Sequence, residues 1–539
     1  MATTAPVSRR GVLAAYAGIM LATLLAALDQ TIVATALPGI VADLRAFEDL
    51  SWIVTAYLVA STVTVPIYGK LGDIHGRRKM FVVAISIFLL GSLLCALAQN
   101  VGQLVGARVV QGLGAGGLLP LAQTAIADLF APRDRGRYQG LIGAMWAIAA
   151  IAGPLLGGTL TDAASWRWIF WLNLPLGAIA LVVVMKTMRV PQERREHTVD
   201  VAGAVTLSVA VVCVLLACSW GGSRYPWISP EVLGVGVVGV LAFVAFLRIA
   251  GRAPEPLLPL SLFRGRVFSV SSMASVTFGA MMFAVTIYVP VYVQGAQGRS
   301  ATASGFALIP LLLTWTVMSF VCGQIISRTG RYRAFPIVGS LFVILGAVLL
   351  SLLDADSSAV DVAIAVAVVG IGMGTMVQTY IIATQNAVDT SVVGTATAAL
   401  QFFRSMGGSL AVAGLGALLA TRLSTELSTR LGDAASGIDQ DRLLEGSAAI
   451  PSALVAGTQD ALGAALHSVF LALIPIAALG LVFALRLEER RLRTADEPGQ
   501  WPGSEGRSQP VDAESRLPAT GIDSRIGDTA GDAGGRQTR

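Results

Sequence analysis

Apolar runs of about 20 residues recur along the whole chain, with short polar segments between them. They lie at about 12–36, 51–69, 81–99, 104–128, 138–160, 168–187, 201–220, 232–250, 267–291, 304–326, 335–353, 360–384, 394–420 and 464–485, fourteen in all. Each is long enough to cross about 30 Å of hydrocarbon as an α-helix. The pattern predicts an all-α, polytopic membrane protein with 14 transmembrane helices. The strands of a transmembrane barrel would be shorter and would alternate in polarity, so a barrel is excluded. Arg9 and Arg10 precede the first run, as in a signal peptide, but the run continues past Asp29 to about Leu37 without a cleavage region. It reads as the first span.

The polar segments carry an orientation signal. With the N-terminus in the cytoplasm, the inner segments hold 24 Lys and Arg residues and the outer ones 7. That asymmetry predicts both termini inside and an even number of spans. Trp166, Trp168, Trp220 and Trp227 then fall at outer interfaces, where indole rings prefer to sit. Arg outnumbers Lys 35 to 3, which points to a GC-rich bacterial genome and to the bacterial cell (inner) membrane.

Composition agrees. Charged residues make up 13% of the 539 positions, about half the roughly 25% of a soluble domain. Apolar residues make up 55% and mean hydropathy is +0.71, which excludes disorder for most of the chain. The pI is 9.2, but a net charge of +5 spread over dispersed arginines does not fit a nucleic-acid partner. Cys95, Cys213, Cys218 and Cys322 fall inside apolar runs and read as small buried hydrophobes. His75, His197 and His467 are scattered, so no metal-ligand cluster is formed. Two segments stand outside the apolar pattern: 424–463, read as a long outer loop, and 494–539, read as a disordered cytoplasmic tail.

The string GKLGDIHGRRK at 69–79 follows the second run, and GQIISRTGRYR at 323–333 follows the tenth. Both begin with Gly, carry Gly seven positions later and end in basic residues. Their offset exceeds a six-span half by about the length of 200–266. The arithmetic predicts a six-helix half at 1–198, two inserted helices at 199–266 and a second six-helix half at 267–493. Parallel halves of this kind are a transporter architecture.

Ionised groups are costly inside a bilayer, so those within spans need an explanation. Three are clear: Asp29, Arg108 and Arg404. A carboxyl in a low-dielectric cavity can take up a proton near neutral pH, which makes Asp29 a candidate proton carrier; a structural carboxylate paired with Arg is the plainer reading. Arg108 and Gln111 share a helix face, with Gly112, Gly114, Gly116 and Gly117 permitting close helix packing. This pair either tunes a neighbouring acid or makes static hydrogen bonds. Ala149, Gly153 and Gly157 form a small-residue stripe in the fifth span, with Pro154 expected to bend it and Gly158 following. In the 69–79 loop, Gly69, Asp73, Gly76 and Arg77, with Asp128 at the end of the fourth span, compose either a salt-bridged conformational latch or a solvated basic anchor. Trp146 and Trp315 lie mid-span, lining an aromatic cavity or simply packing.

Four strings together resemble the major facilitator superfamily, and within it the fourteen-span drug:proton antiporters of the EmrB/QacA type. These are LDQTIVATALP at 28–38, GKLGDIHGRRK at 69–79, LVGARVVQGLGAGG at 104–117 and AAIAGPLLGG at 149–158; WRWIFWLNLPLG at 166–177 is similar to the start of the family's sixth span. The resemblance implies the major facilitator fold, arranged 6+2+6. It implies that Asp29 is the proton-linked acid, Arg108 a proton-coupling arginine, Asp73 and Arg77 the inner latch, and the Gly-Pro motif a mark of outward transport. Ile74 and Ala149 depart from the family's frequent basic residue and Gly.

The expected function is proton-coupled export of small amphipathic compounds by alternating access, with no cofactor beyond the proton gradient. The expected partners are a small-molecule amphipathic substrate, protons and the lipid bilayer, with the protein a monomer. A lone deep acid fits neutral or monovalent substrates better than dications. A dedicated exporter of an endogenous metabolite, antibiotic or lipid is the alternative, and a non-transporting scaffold or sensor a more distant one. No nucleophile–base pair or phosphate loop suggests an enzyme.

Overall fold

In hydrocarbon every backbone N–H and C=O must find its partner within the protein, so an apolar run of this length is driven into a helix. The computed structural model describes residues 9–44, 50–130, 132–188, 200–221, 225–354, 356–431 and 455–492. Its helices are α1 (Arg9–Leu44), α2 (Leu50–His75), α3 (Arg77–Leu97), α4 (Val101–Leu129), α5 (Pro132–Ala163), α6 (Arg167–Thr187), α7 (Val201–Trp220), α8 (Pro230–Ala250), α9 (Arg266–Val291), α10 (Ala301–Ala307), α11 (Ile309–Thr329), α12 (Ala334–Ser351), α13 (Ala359–Ala387), α14 (Val393–Leu431) and α15 (Val455–Arg486). Fourteen spans long and apolar enough to cross a membrane result, each overlapping one of the fourteen runs.

The boundaries have local causes. The Asn100 side chain accepts the Gln103 N–H at 2.9 Å and starts α4. Ser358 and Asp361 form a reciprocal capping box at α13. Gly76 between α2 and α3 has φ 90°, and Gly330 between α11 and α12 has φ 71°. The two similar basic loops therefore each turn at a glycine of positive φ, Gly330 in the left-handed helical region with ψ 3° and Gly76 outside it with ψ 142°, a sign of φ that costs other residues energy.

Two segments differ from the sequence reading. The tenth run is broken at Leu308 into α10 and α11, because Pro310 in the first turn of α11 has no N–H to donate backward. The interval 424–463 is not all loop. α14 runs on to Leu431, with Leu423 and Leu427 buried and Arg430 paired with Glu426 at 3.0 Å; α15 begins at Val455. Both helices outrun the apolar windows because periodic burial and an i,i+4 ion pair continue past them. Residues 432–454 and the tail 494–539 lie outside the described residues.

One group of helices packs α1 on α5 and α6, α4 on α2 and α3, and α3 on α6. A second packs α9 on α14 and α15, and α13 on α11 and α12. Glycines set the closeness: a Cβ on Gly114 would meet the Phe88 backbone, and one on Gly372 the backbone of Gly339. α4 and α13 each pack in this way against two neighbours, α4 on α2 and α3 and α13 on α11 and α12. The groups meet along α5–α11 and α2–α14. α7 and α8 pair with each other, and α7 leans on α2 and α14. α8 exposes Val240 and Leu241 by 63% and 64%, a surface suited to lipid.

Candidate functional site

Asp29 of α1 is fully buried. Its Oδ2 pairs with Arg108 Nη1 of α4 at 3.0 Å. Its Oδ1 accepts from Gln111 Nε2 and from Asn173 Nδ2 of α6, both at 2.8 Å. Ser92 Oγ of α3 accepts from Gln111 at 2.7 Å and from Asn173 at 3.0 Å. Arg108 also donates to Gln111 Oε1 at 2.6 Å and to the Ile53 carbonyl at 3.3 Å, and its guanidinium lies 4.0 Å from the Tyr57 ring centroid. Five helices contribute to this knot, and Gly91 and Gly112 let their backbones come close enough to form it.

Removing both charges from water is expensive, and only the ion pair and its surrounding donors offset that cost. Protonating Asp29 would cancel the attraction that holds Arg108, while leaving Arg108 the Gln111 and Ile53 oxygens. The charge of one carboxyl is thereby tied to contacts among α1, α4 and α6. Asp29, Arg108 and Gln111 were legible in the sequence. Asn173, Ser92 and Tyr57 were not singled out, although Asn173 sits conspicuously in the apolar string WLNLPLG.

The 69–79 loop forms a second cluster. Arg77 pairs with Asp73 one turn earlier, and its Nε pairs with Asp128 Oδ2 at 3.1 Å. Asp73 reaches the start of α14, where it accepts the N–H groups of Gly394 at 3.0 Å and Thr395 at 2.6 Å and the Thr395 hydroxyl at 2.7 Å. A carboxylate is well placed at the positive end of a helix dipole. Gly69 permits this approach, since a Cβ there would lie 2.9 Å from the Gly394 carbonyl oxygen. Gly76 supplies the turn that brings Arg77 back over Asp73.

A layer of buried glutamines crosses between the helix groups. Gln139 Nε2 donates to Gln385 Oε1, and Gln378 Nε2 to the Gln139 carbonyl, both at 3.0 Å. Thr316 donates to the Gly143 carbonyl at 3.0 Å. These contacts between the two groups gather toward the end that carries the basic loops. Neutral polar residues inside apolar runs gave no comparable signal in the sequence.

In α5, Ala149 and Gly153 face α1: Thr31 donates to the Ala149 carbonyl at 2.9 Å, and a Cβ on Gly153 would strike the Thr31 side chain. Gly157 is buried, whereas a Cβ on Gly158 would meet open space. α5 continues through Pro154 to Ala163, and the Pro154 side chain lies outside the described residues. Trp146 packs against Ala27, Leu28 and Ala149. Trp315 stands edge-on to Phe278, ring centroids 5.7 Å apart, and Phe278 and Arg404 line a small cavity of about 10 Å³. Trp146 and Trp315 therefore occupy unlike surroundings.

Fourteen membrane-spanning helices with an ion pair buried among them define a multi-pass membrane protein built as a helical transporter. Residues 19–412 match the family described as the Major Facilitator Superfamily. The chain is 34% identical over 492 residues to "Multidrug resistance protein 3" of Bacillus subtilis, covering 89% of this chain and 96% of that protein. It is 34% identical to "Multidrug transporter protein MdtP" of Bacillus subtilis, covering 88% and 93%. It is 38% identical over 407 residues to "Efflux pump FUS6" of Gibberella fujikuroi, covering 74% and 73%. The structure resembles the crystal structure of the human organic anion transporter MFSD10 (TETRAN), with TM-score 0.59 at 15% identity over 90% of this chain and 100% of that one, a likeness of fold alone. The chain belongs to the major facilitator superfamily, a family of transporters rather than enzymes.

Proposed function

We propose that this protein exports small amphipathic organic compounds across the cytoplasmic membrane in exchange for protons, by alternating access. The observation that carries the reading is the fully buried Asp29–Arg108 pair at 3.0 Å, whose attraction depends on the charge of one carboxyl. The resemblance of the Gly-Pro motif to that of exporters gives the direction, and relatives named as multidrug and efflux proteins accord with it. In this cycle Asp29 is deprotonated when substrate enters from the inner side and protonated from outside as substrate leaves. Each inward charge gains about 2.3 kcal/mol per 100 mV. Asp73 and Arg77 hold the inner end shut during release. Both termini lie in the cytoplasm, on the strength of 24 inner against 7 outer basic residues.

The test is efflux in vesicles with an imposed pH gradient, comparing wild type with Asp29→Asn. Proton-driven transport should be lost while the variant stays folded; unchanged transport would remove Asp29 from the coupling. A dedicated metabolite exporter is the second reading, favoured by the similarity to an Acurin A biosynthesis cluster transporter, 33% identical over 425 residues. Export of one compound and of no others in a panel of unrelated drugs and dyes would select it.

A further inference from the structure

Among the described residues, the hydrogen bonds of Asp29 all come from donors: Arg108 Nη1 at 3.0 Å, and Gln111 Nε2 and Asn173 Nδ2 at 2.8 Å. That suits a carboxylate, which only accepts. A protonated carboxyl has an O–H to place, and in this arrangement the O–H would point at N–H groups. The other titratable groups near Asp29 and Arg108 are Tyr57 of α2, whose ring faces Arg108, and Cys95 of α3, whose thiol donates to Gln111 Oε1 at 3.8 Å. From α5, Ala149 and Gly153 face α1 and bring no charge.

Two amides meet Asp29, and they differ in freedom. Gln111 Oε1 accepts from Arg108 Nη1 at 2.6 Å. Turning that amide over would set its N–H groups against a guanidinium, which has no acceptor. Asn173 is not held in this way. It is 1% exposed, and its Oδ1 is buried with no hydrogen-bond partner among the described residues. Its Nδ2 serves both Asp29 Oδ1 and, at 3.0 Å, Ser92 Oγ. Buried polar atoms are normally satisfied, so an orphaned carbonyl beside a candidate proton carrier needs an explanation.

We propose that Asn173 is a positioning residue for the coupling proton, and that its amide turns over when Asp29 is protonated. With Asp29 ionised, Nδ2 donates to the carboxylate. A half-turn about the Cβ–Cγ bond, whose torsion is broad and roughly two-fold in Asn, exchanges Nδ2 and Oδ1. Oδ1 then accepts the new O–H of Asp29 and the hydroxyl of Ser92. Arg108 keeps Asp29 Oδ2, and Gln111 keeps Ser92 Oγ. The proton on Asp29 is the one added, and the amide stays neutral throughout. The turn exchanges one unpartnered end of the amide for the other, so it is nearly balanced in itself. A site of fixed donors serves one protonation state of the acid; an amide that turns serves both. The turn presupposes the exchange proposed above, in which Asp29 takes up a proton.

The test is infrared difference spectroscopy of the full-length protein in phosphatidylcholine nanodiscs, between high and low pH and without a gradient. The chain holds three asparagines, Asn100, Asn173 and Asn386, so isotope labelling of their side-chain carbonyl carbons by cell-free synthesis adds few bands. The Asp29 band is the carboxyl C=O stretch that Asp29→Asn lacks. As it appears, one asparagine carbonyl band should move to lower frequency with the same pH midpoint, because Oδ1 gains two donors. An amide that only donates would move the other way or stay still. In Asn173→Leu the movement should be lost. If that variant does not fold, Asn100→Gln combined with Asn386→Gln leaves Asn173 the one labelled carbonyl, and the movement should persist. A carboxyl band that titrates while no asparagine band moves to lower frequency overturns the proposal and leaves Asp29 a proton carrier. A movement that survives in Asn173→Leu belongs to another residue and overturns it too. Spectra with no carboxyl band lost in Asp29→Asn overturn both the proposal and the proton exchange at Asp29. Transport is not measured, so unchanged efflux by Asp29→Asn vesicles leaves an observed turn standing.

Discussion

Asp73 and Thr395 are 322 positions apart in sequence, yet one carboxylate oxygen of Asp73 accepts both the backbone N–H and the hydroxyl of Thr395. The other oxygen takes the Gly394 N–H, so the acid caps α14 from a different helix group. Charge-assisted hydrogen bonds of this type contribute about 1.5–3 kcal/mol. Asp73→Ala should therefore shift the population away from the shut end by roughly ten- to a hundred-fold. Spin labels at the exposed His75 and Ser391 positions would report it as a longer distance component. An unaltered distance distribution would mean that the cap does not hold the end closed.

The buried pair predicts an asymmetry between single and double replacements. Arg108→Ala strands the fully buried Asp29 carboxylate without its counterion and should cost about 3–5 kcal/mol. Asp29→Asn combined with Arg108→Met removes both charges and should cost much less. Unfolding of the purified proteins in detergent measures both. Equal losses would show that packing, not charge compensation, dominates the site.

Gly153 predicts a coupling between α5 and α1. Gly153→Ala places a methyl group against Thr31 and should destabilise by about 1–3 kcal/mol. Thr31→Ala in the same chain should recover part of the loss, giving a non-zero interaction energy in a double-mutant cycle. Gly158→Ala, which meets nothing within 4 Å, should be nearly silent. A cycle that adds without coupling would place the α1–α5 contact elsewhere.

Outside the spans, Asp43 predicts a pH effect. Trp166 Nε1 at 2.9 Å and Arg167 Nη1 at 2.8 Å donate to it and hold its carboxyl below the usual carboxylate range. A lowered folded-state pKa adds stability at pH values above the ordinary value of 3.8, and that stability is lost as pH falls through the folded value. The difference in stability between wild type and Asp43→Asn should be present at pH 7 and vanish in strong acid. A difference independent of pH would assign it to the hydrogen bonds of the neutral group.

The helices were legible because the bilayer imposes one strong rule: long apolar stretches must close their own hydrogen bonds. Asp29 and Arg108 were legible for the converse reason, since a charge in such a stretch stands out against its surroundings. Asn173 and Ser92 complete the same site but are neutral, and neutral polar residues cost too little in a helix to attract notice. The partner of Asp73 was harder still, because it is backbone amide at Gly394 and Thr395, and every residue but proline carries an amide. The glutamine layer became visible only once Gln139 and Gln385, 246 positions apart, stood face to face. The ends of α14 and α15 were misplaced because polar residues at 424–431 and 455–463 obey helical periodicity beyond the apolar window.

Gly136 of α5 and Gly323 of α11 touch backbone to backbone, leaving a Cβ on Gly136 only 2.7 Å from the Gly323 carbonyl oxygen. A joint between two bare main chains has no interlocking side chains to disengage. When it parts, it uncovers peptide groups that water can solvate and little oily surface. The shut end is thus fastened like a clasp rather than glued, with a few polar contacts keeping it closed.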